Sequence, residues 1–138
     1  MDFIRKRFRF EIGLFGLNLG IAFQIADDVL GLWGDPALTG KSARTDLLSR
    51  KKSYPVLAAM QSTYGAELRA LYAQPEWSEA DIQRIESLLL AADARTEATL
   101  QAKHFAAIAQ AALETTNLEN DAMTRLRELL TQVVHREK

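Results

Sequence analysis

Cysteine is absent from this 138-residue chain. That excludes disulfides and thiolate metal centres, and fits a reducing compartment such as the cytoplasm. Histidine is scarce: His104 and His135 are the only two, far apart in sequence, so a histidine-rich zinc centre is not expected. Net charge is −1, leaving no global basic footprint for nucleic acid. Strand-like alternation is nearly missing, and there are no internal repeats or low-complexity tracts. The longest apolar stretch, residues 12–33, is interrupted by Asn18, Gln24, Asp27 and Asp28. It therefore reads as too polar for a transmembrane segment. The basic, aromatic start is followed by no small-residue cleavage site, so it reads as a solvated helix start and not a signal peptide.

What is present is helical periodicity almost throughout, and the chain reads as a single all-α segment, 1–138. A first helix is expected over about residues 7–33, with Ile12, Phe15, Leu19, Phe23 and Ala26 on one stripe and Leu14, Leu17, Ile21, Ile25 and Val29 on another. A helix apolar nearly all round is normally central in a bundle. Gly13, Gly16 and Gly20 cost helix propensity, which suggests that they admit a close neighbour. Gly34-Asp35-Pro36 and Thr39-Gly40-Lys41 mark a loop. A helix over about residues 46–63 should kink or restart at Pro55. A short helical turn is expected at residues 66–72. Ser78 with Asp81 reads as a capping-box variant opening a helix near residue 79, with Ile82, Ile85, Leu88 and Leu89 inward. Two more helices follow, over about residues 94–114 (Leu100, Phe105, Ile108, Leu113) and after Asn120 (Met123, Leu126, Leu130, Val133).

Asp27 and Asp28 are the chain's only adjacent aspartates. With Gln24 and Gly31 they recur at intervals of three and four, on one face near the C-terminal end of the first helix. That is the unfavourable end of the dipole for negative charge. Paired carboxylates in apolar surroundings need a metal or basic side chains. Lys41, Arg44, Arg50, Lys51 and Lys52 follow. Hard oxygen ligands suit Mg²⁺, which takes one or two carboxylates and completes its shell with water and phosphate oxygens. On residue types alone, a helix end capping its own turn is the more ordinary reading.

Spacing and neighbours decide between them. Phe23-Gln24-Ile25-Ala26-Asp27-Asp28-Val29-Leu30-Gly31, Trp33-Gly34-Asp35-Pro36, Thr39-Gly40-Lys41, Asp46-Leu47 and Lys51-Lys52-Ser53-Tyr54-Pro55-Val56-Leu57 closely resemble the trans-polyprenyl diphosphate synthase (polyprenyl synthetase) family. The matched part is the C-terminal portion, with the second aspartate-rich motif, over about residues 12–138. The resemblance implies the C-terminal helices of an isoprenoid-synthase-type bundle, in which Mg²⁺ holds an allylic diphosphate between two aspartate-rich motifs and isopentenyl diphosphate attacks the allylic cation. By the same resemblance, Asp27 is the principal metal ligand and Asp28 its partner, with Asp46 a carboxylate behind them. Lys41 and Lys51 hold the diphosphate, Lys52 is a weaker candidate, Gln24 is a polar contact, and Phe23 lines the prenyl cavity.

Two departures stand out. Gly31 occupies the place of the motif's usual third aspartate, and Asp35 is two turns beyond Asp27, roughly 12 Å along an ideal axis, too far to replace it. The chain also holds no first aspartate-rich motif. Half a barrel leaves apolar faces uncovered, so self-association or pairing with a complementing chain is expected, and catalysis by this chain alone is not. A non-catalytic helical partner-binding module and a class I terpene cyclase fragment are the alternatives. Lys51-Lys52-Ser53-Tyr54-Pro55 favours the synthase over the cyclase.

Overall fold

The computed structural model describes residues 1–40 and 44–135, and no strand occurs among them. The helices are α1 (Asp2–Trp33), α2 (Pro36–Thr39), α3 (Thr45–Leu48), α4 (Tyr54–Met60), α5 (Gly65–Ala73), α6 (Glu79–Ala91), α7 (Ala94–Thr115) and α8 (Asp121–Val134). The all-α expectation holds, and most helix boundaries lie within a residue or two of those read from periodicity.

The differences have local causes. The expected loop after α1 contains the single turn α2, because Asp35 accepts a hydrogen bond from the Ala37 N–H at 2.9 Å, Pro36 follows at the first helical position, and Gly40 closes the turn at φ 69°. Aspartate cap, proline start and left-handed glycine stop are what a short helix requires. The helix expected over residues 46–63 is broken into α3 and α4. Arg50 takes a left-handed backbone at φ 58°, ending regular structure before Pro55 restarts it within the first turn of α4. Nothing lies within 4 Å of a Cβ built on Gly13, Gly16 or Gly20, so the expected close approach at those glycines is not seen.

The chain divides into two compact units. The first comprises Met1–Ala26 and, among the described residues, 101–135. Its core joins Phe15 and Ala22 to Ala106, Ala109, Ala112 and Leu113 of α7 and to Met123, Leu130 and Val133 of α8. The small α7 side chains at successive turns form the inward face, and the larger residues of α1 and α8 fill the space above them. Asn18 is buried in this unit and satisfies itself by donating to the Leu14 carbonyl at 2.8 Å. Leu17, on the stripe expected to be inward, is 62% exposed. One 18-residue window of α1 is apolar enough by length and composition to cross a membrane, a test that core helices also pass, and 44% of that window is buried within the protein.

The second unit, Asp27–Leu100, is built on α4, α5 and α6, which pack on one another. Leu47, Val56, Leu68, Ile85, Leu88 and Leu89 are its buried centre, each at most 2% exposed. Burial on that scale is worth about 1.5–3 kcal/mol for each large side chain. Leu100, one of the large apolar residues of the 94–114 segment, is 57% exposed. The capping box at α6 is present as read: the Ser78 side chain accepts from the Asp81 N–H, and the Asp81 carboxylate accepts from the Ser78 N–H at 2.8 Å.

Candidate functional site

Asp28 lies in the last two turns of α1, where the helix dipole disfavours negative charge. It is 5% exposed. Its charge is compensated from outside the helix. Lys51 Nζ donates to Asp28 Oδ1 at 2.7 Å, and the Tyr54 backbone N–H donates to Asp28 Oδ2 at 2.9 Å. The Tyr54 amide is one of the orphan donors that begin α4. Ser53, the residue in the capping position, makes no side-chain cap bond, so Asp28 serves α4 from 26 residues upstream. The carboxylate thus clasps the end of α1 to the start of α4.

Asp46, in the first turn of α3, is the second carboxylate on Lys51, with Oδ2 3.4 Å from Nζ. The Lys51 backbone N–H also donates to the Asp46 carbonyl at 3.0 Å. The hydrogen bond to Asp28 and the attraction of both carboxylates raise the Lys51 pKa above its ordinary value, against an opposing desolvation. Lys51 remains 41% exposed at its side chain, so a ligand can reach it. Gly31 is one helical turn beyond Asp27 and Asp28. A Cβ built on it would lie 2.1 Å from Asp46 Oδ2 and 2.4 Å from Asp46 Cγ. The Asp46 carboxylate therefore fills the space that a side chain at position 31 would use.

Asp27 is half-buried on α1. Asp28 and Asp46 set two carboxylates against the Lys51 ammonium. Among the described residues, no group of three or more His, Cys, Asp or Glu is placed to hold a metal ion. An all-oxygen, net-negative donor set of this kind suits a hard cation that keeps water or phosphate oxygens in its shell, as Mg²⁺ does. Lys52, Gln24 and Phe23 are exposed, Phe23 at 44%. Lys41 lies outside the described residues.

The basic run does not act as one patch. Arg44 pairs with Glu79 at 3.3 Å and Glu86 at 2.7 Å. The Arg50 guanidinium donates to the carbonyls of Tyr72, Gln74 and Pro75 and stacks over the Trp77 ring, 4.4 Å from its centroid. Both arginines hold the fold. Trp77 also packs edge-on against Tyr72 and donates to the Leu71 carbonyl at 2.7 Å, a packing role. The sequence reading missed the Tyr54 amide, although a proline at the start of a helix is a signal for orphan N–H groups just before it.

Helical bundle, acidic turn on α1 and lysine on the following segment define an all-α protein of the isoprenoid synthase fold. The family profile described as Polyprenyl synthetase matches residues 9–89, and the chain belongs to that family. It is 46% identical over 78 residues to the geranylgeranyl diphosphate synthase of Mycobacterium tuberculosis, covering 54% of this chain and 22% of that protein. It is 38% identical over 94 residues to the geranylfarnesyl diphosphate synthase of Aeropyrum pernix, covering 68% of this chain and 29% of the relative. Among solved structures, the polyprenyl synthetase of Streptomyces coelicolor A3(2) superposes with a TM-score of 0.79 at 33% identity, over 93% of this chain and 40% of the other. The geranylgeranyl pyrophosphate synthase of Corynebacterium glutamicum, complexed with isoprenyl diphosphate and magnesium, gives a TM-score of 0.72 at 29% identity, over 89% of this chain and 36% of that one. The chain thus spans well under half the length of these relatives.

Proposed function

We propose that this chain carries one Mg²⁺-diphosphate half-site of a prenyltransferase that joins an allylic diphosphate to isopentenyl diphosphate in isoprenoid biosynthesis. The observation that carries the reading is the Asp28–Lys51–Asp46 cluster beside Asp27, within the residues that match the family. In this reading Asp27 is the principal cation ligand. Asp28 sits behind it, with its oxygens engaged by Lys51 and Tyr54, and holds the segment after α3 in register. Lys51 offers a point charge to a diphosphate oxygen, with Lys52 and Lys41 as further candidates. Bound Mg²⁺ would neutralise diphosphate charge and so favour its departure. The chain's own residues place that cation and steady the anion. The sequence given has no second aspartate pair, so in this reading the opposing carboxylates come from outside residues 1–138.

The test is calorimetric titration of inorganic diphosphate into the chain with and without Mg²⁺. Mg²⁺-dependent binding that Asp27→Ala weakens at least about tenfold, the scale of a lost charge-assisted contact, is the expected result. Diphosphate binding that ignores both Mg²⁺ and Asp27 overturns the assignment. Incubation with Mg²⁺ and both prenyl substrates should give condensation only after a chain bearing the other acidic motif is added. Brisk condensation by this chain alone would refute that dependence.

A further inference from the structure

Basic and apolar side chains are interleaved at the start of α1. Residues 1–11 contain four basic side chains, Arg5, Lys6, Arg7 and Arg9, against Asp2 and Glu11, a surplus of two positive charges in a chain of net charge −1. The rest of the chain is therefore net negative. On a helix, Asp2, Arg5, Lys6 and Arg9 are spaced by three and four and share one side. Ile4 and Phe8, four apart, and Phe3 and Phe10, seven apart, occupy much of the remainder. Lys6 pairs with Asp2 at 2.9 Å, but the two side chains are 76% and 82% exposed, so water screens the pair. The apolar side chains stand in solvent as well, Phe3 at 77% and Ile4 at 69% exposure. Leu118, from the segment joining α7 to α8 in the same compact unit, adds to them at 40%. Phe3, Ile4, Phe8 and Leu118, together with Arg5 and Arg7, line a groove of about 360 Å³.

We propose that the first turns of α1, with Leu118, form a contact for an anionic lipid surface. Phe3, Ile4, Phe8 and Leu118 enter the boundary of the acyl chains, and Arg5, Lys6, Arg7 and Arg9 meet the lipid phosphates. Arg7 lies between Phe3 and Phe10 on the helix; its long stem can run along the apolar layer while the guanidinium stays at headgroup level. Charge and side-chain type both favour this occupant. A nucleic acid gains nothing from Ile4 or Leu118, which have no ring to stack on a base. A second copy meeting the same patch face to face would bring an equal positive surplus to the contact, and the two would repel. The contact is independent of the diphosphate half-site.

The experiment is co-sedimentation of the full chain with phosphatidylcholine vesicles, with and without about one third phosphatidylglycerol. Partitioning should be at least about tenfold stronger onto the anionic vesicles, and high salt should remove most of that preference. Arg5→Gln combined with Arg7→Gln should weaken binding to the anionic vesicles by about tenfold or more. Phe3→Ser combined with Ile4→Ser should weaken it by a similar factor. Leu90→Ser, which removes a side chain 81% exposed on α6, should leave it unchanged. Every substituted residue is exposed, so the variants should keep their helix content, checked by circular dichroism. No pelleting with anionic vesicles, equal partitioning onto both vesicle types, or an equal loss with Leu90→Ser overturns the inference. Self-association in vesicle-free velocity sedimentation, abolished by Phe3→Ser with Ile4→Ser and joined to no anionic preference, assigns the patch to a second copy instead.

Discussion

Two buried ionisable side chains set the chemistry at the residue scale. Asp28 accepts from Lys51 and from the Tyr54 amide, so its removal leaves a buried N–H without an acceptor. Asp28→Ala should destabilise the chain by about 2 kcal/mol, most of it from that amide. The half-exposed ammonium contributes less, because solvent screens it. Asp28→Asn, which keeps one acceptor, should cost about half as much. Urea denaturation with an unchanged slope is the check. Tyr72 is the second case: burial pushes its hydroxyl up from 10.0 to about 12. A raised pKa favours the neutral form in the folded state. Its stabilisation is complete below pH 10 and is lost as pH climbs through about 12. Lys51, also raised above its ordinary 10.5, loses its contribution in the same direction. Tyr72→Phe should therefore flatten, without abolishing, the fall in stability above pH 10. A tyrosine absorbance titration should show one of the three tyrosines ionising only near unfolding.

At the scale of the element, caps decide where helices begin. The Ser78–Asp81 box is read from four adjacent residues and forms as read, since every partner lies within one turn. Ser78→Ala should cost about 1 kcal/mol, measured by thermal melts. Asp81 is held below its ordinary range, chiefly by the Ser78 hydroxyl. That contribution is present above the ordinary value of 3.8 and fades as pH falls below it. The clasp on Asp28 was not legible in the same way. Its partners are 23 and 26 residues away, and no local pattern names the lysine or the amide that will arrive. Arg44 and Arg50 illustrate the converse. Sequence grouped them with Lys51 by proximity, but left-handed backbones at both arginines turn them toward Glu86 and Trp77. Leu100 follows helical periodicity yet is exposed, because periodicity says which residues share a face and not whether a neighbour covers it.

On the scale of the whole molecule, each unit has its own buried centre. Leu68→Ala removes a side chain with 0% exposure from the second unit, and Leu113→Ala one with 1% exposure from the first. Each should cost about 2–5 kcal/mol. Hydrogen exchange should then quicken mainly across residues 27–100 for Leu68→Ala, and mainly in the first unit for Leu113→Ala. Uniform acceleration in both variants would show one cooperative body instead. The aspartate-lysine signature was legible from sequence because its spacing belongs to a family, whereas the division into two cores depends on long-range contacts.

Met1, and Phe3, Ile4, Phe10 and Leu17 of α1, are all more than 60% exposed. Their consequence is colloidal. A chain of net charge −1 has almost no electrostatic repulsion to set against sticking between apolar surfaces. Its solubility should therefore be poorest in mildly acidic buffer, where the last net charge is titrated away, and should improve as pH is raised and the chain becomes more negative.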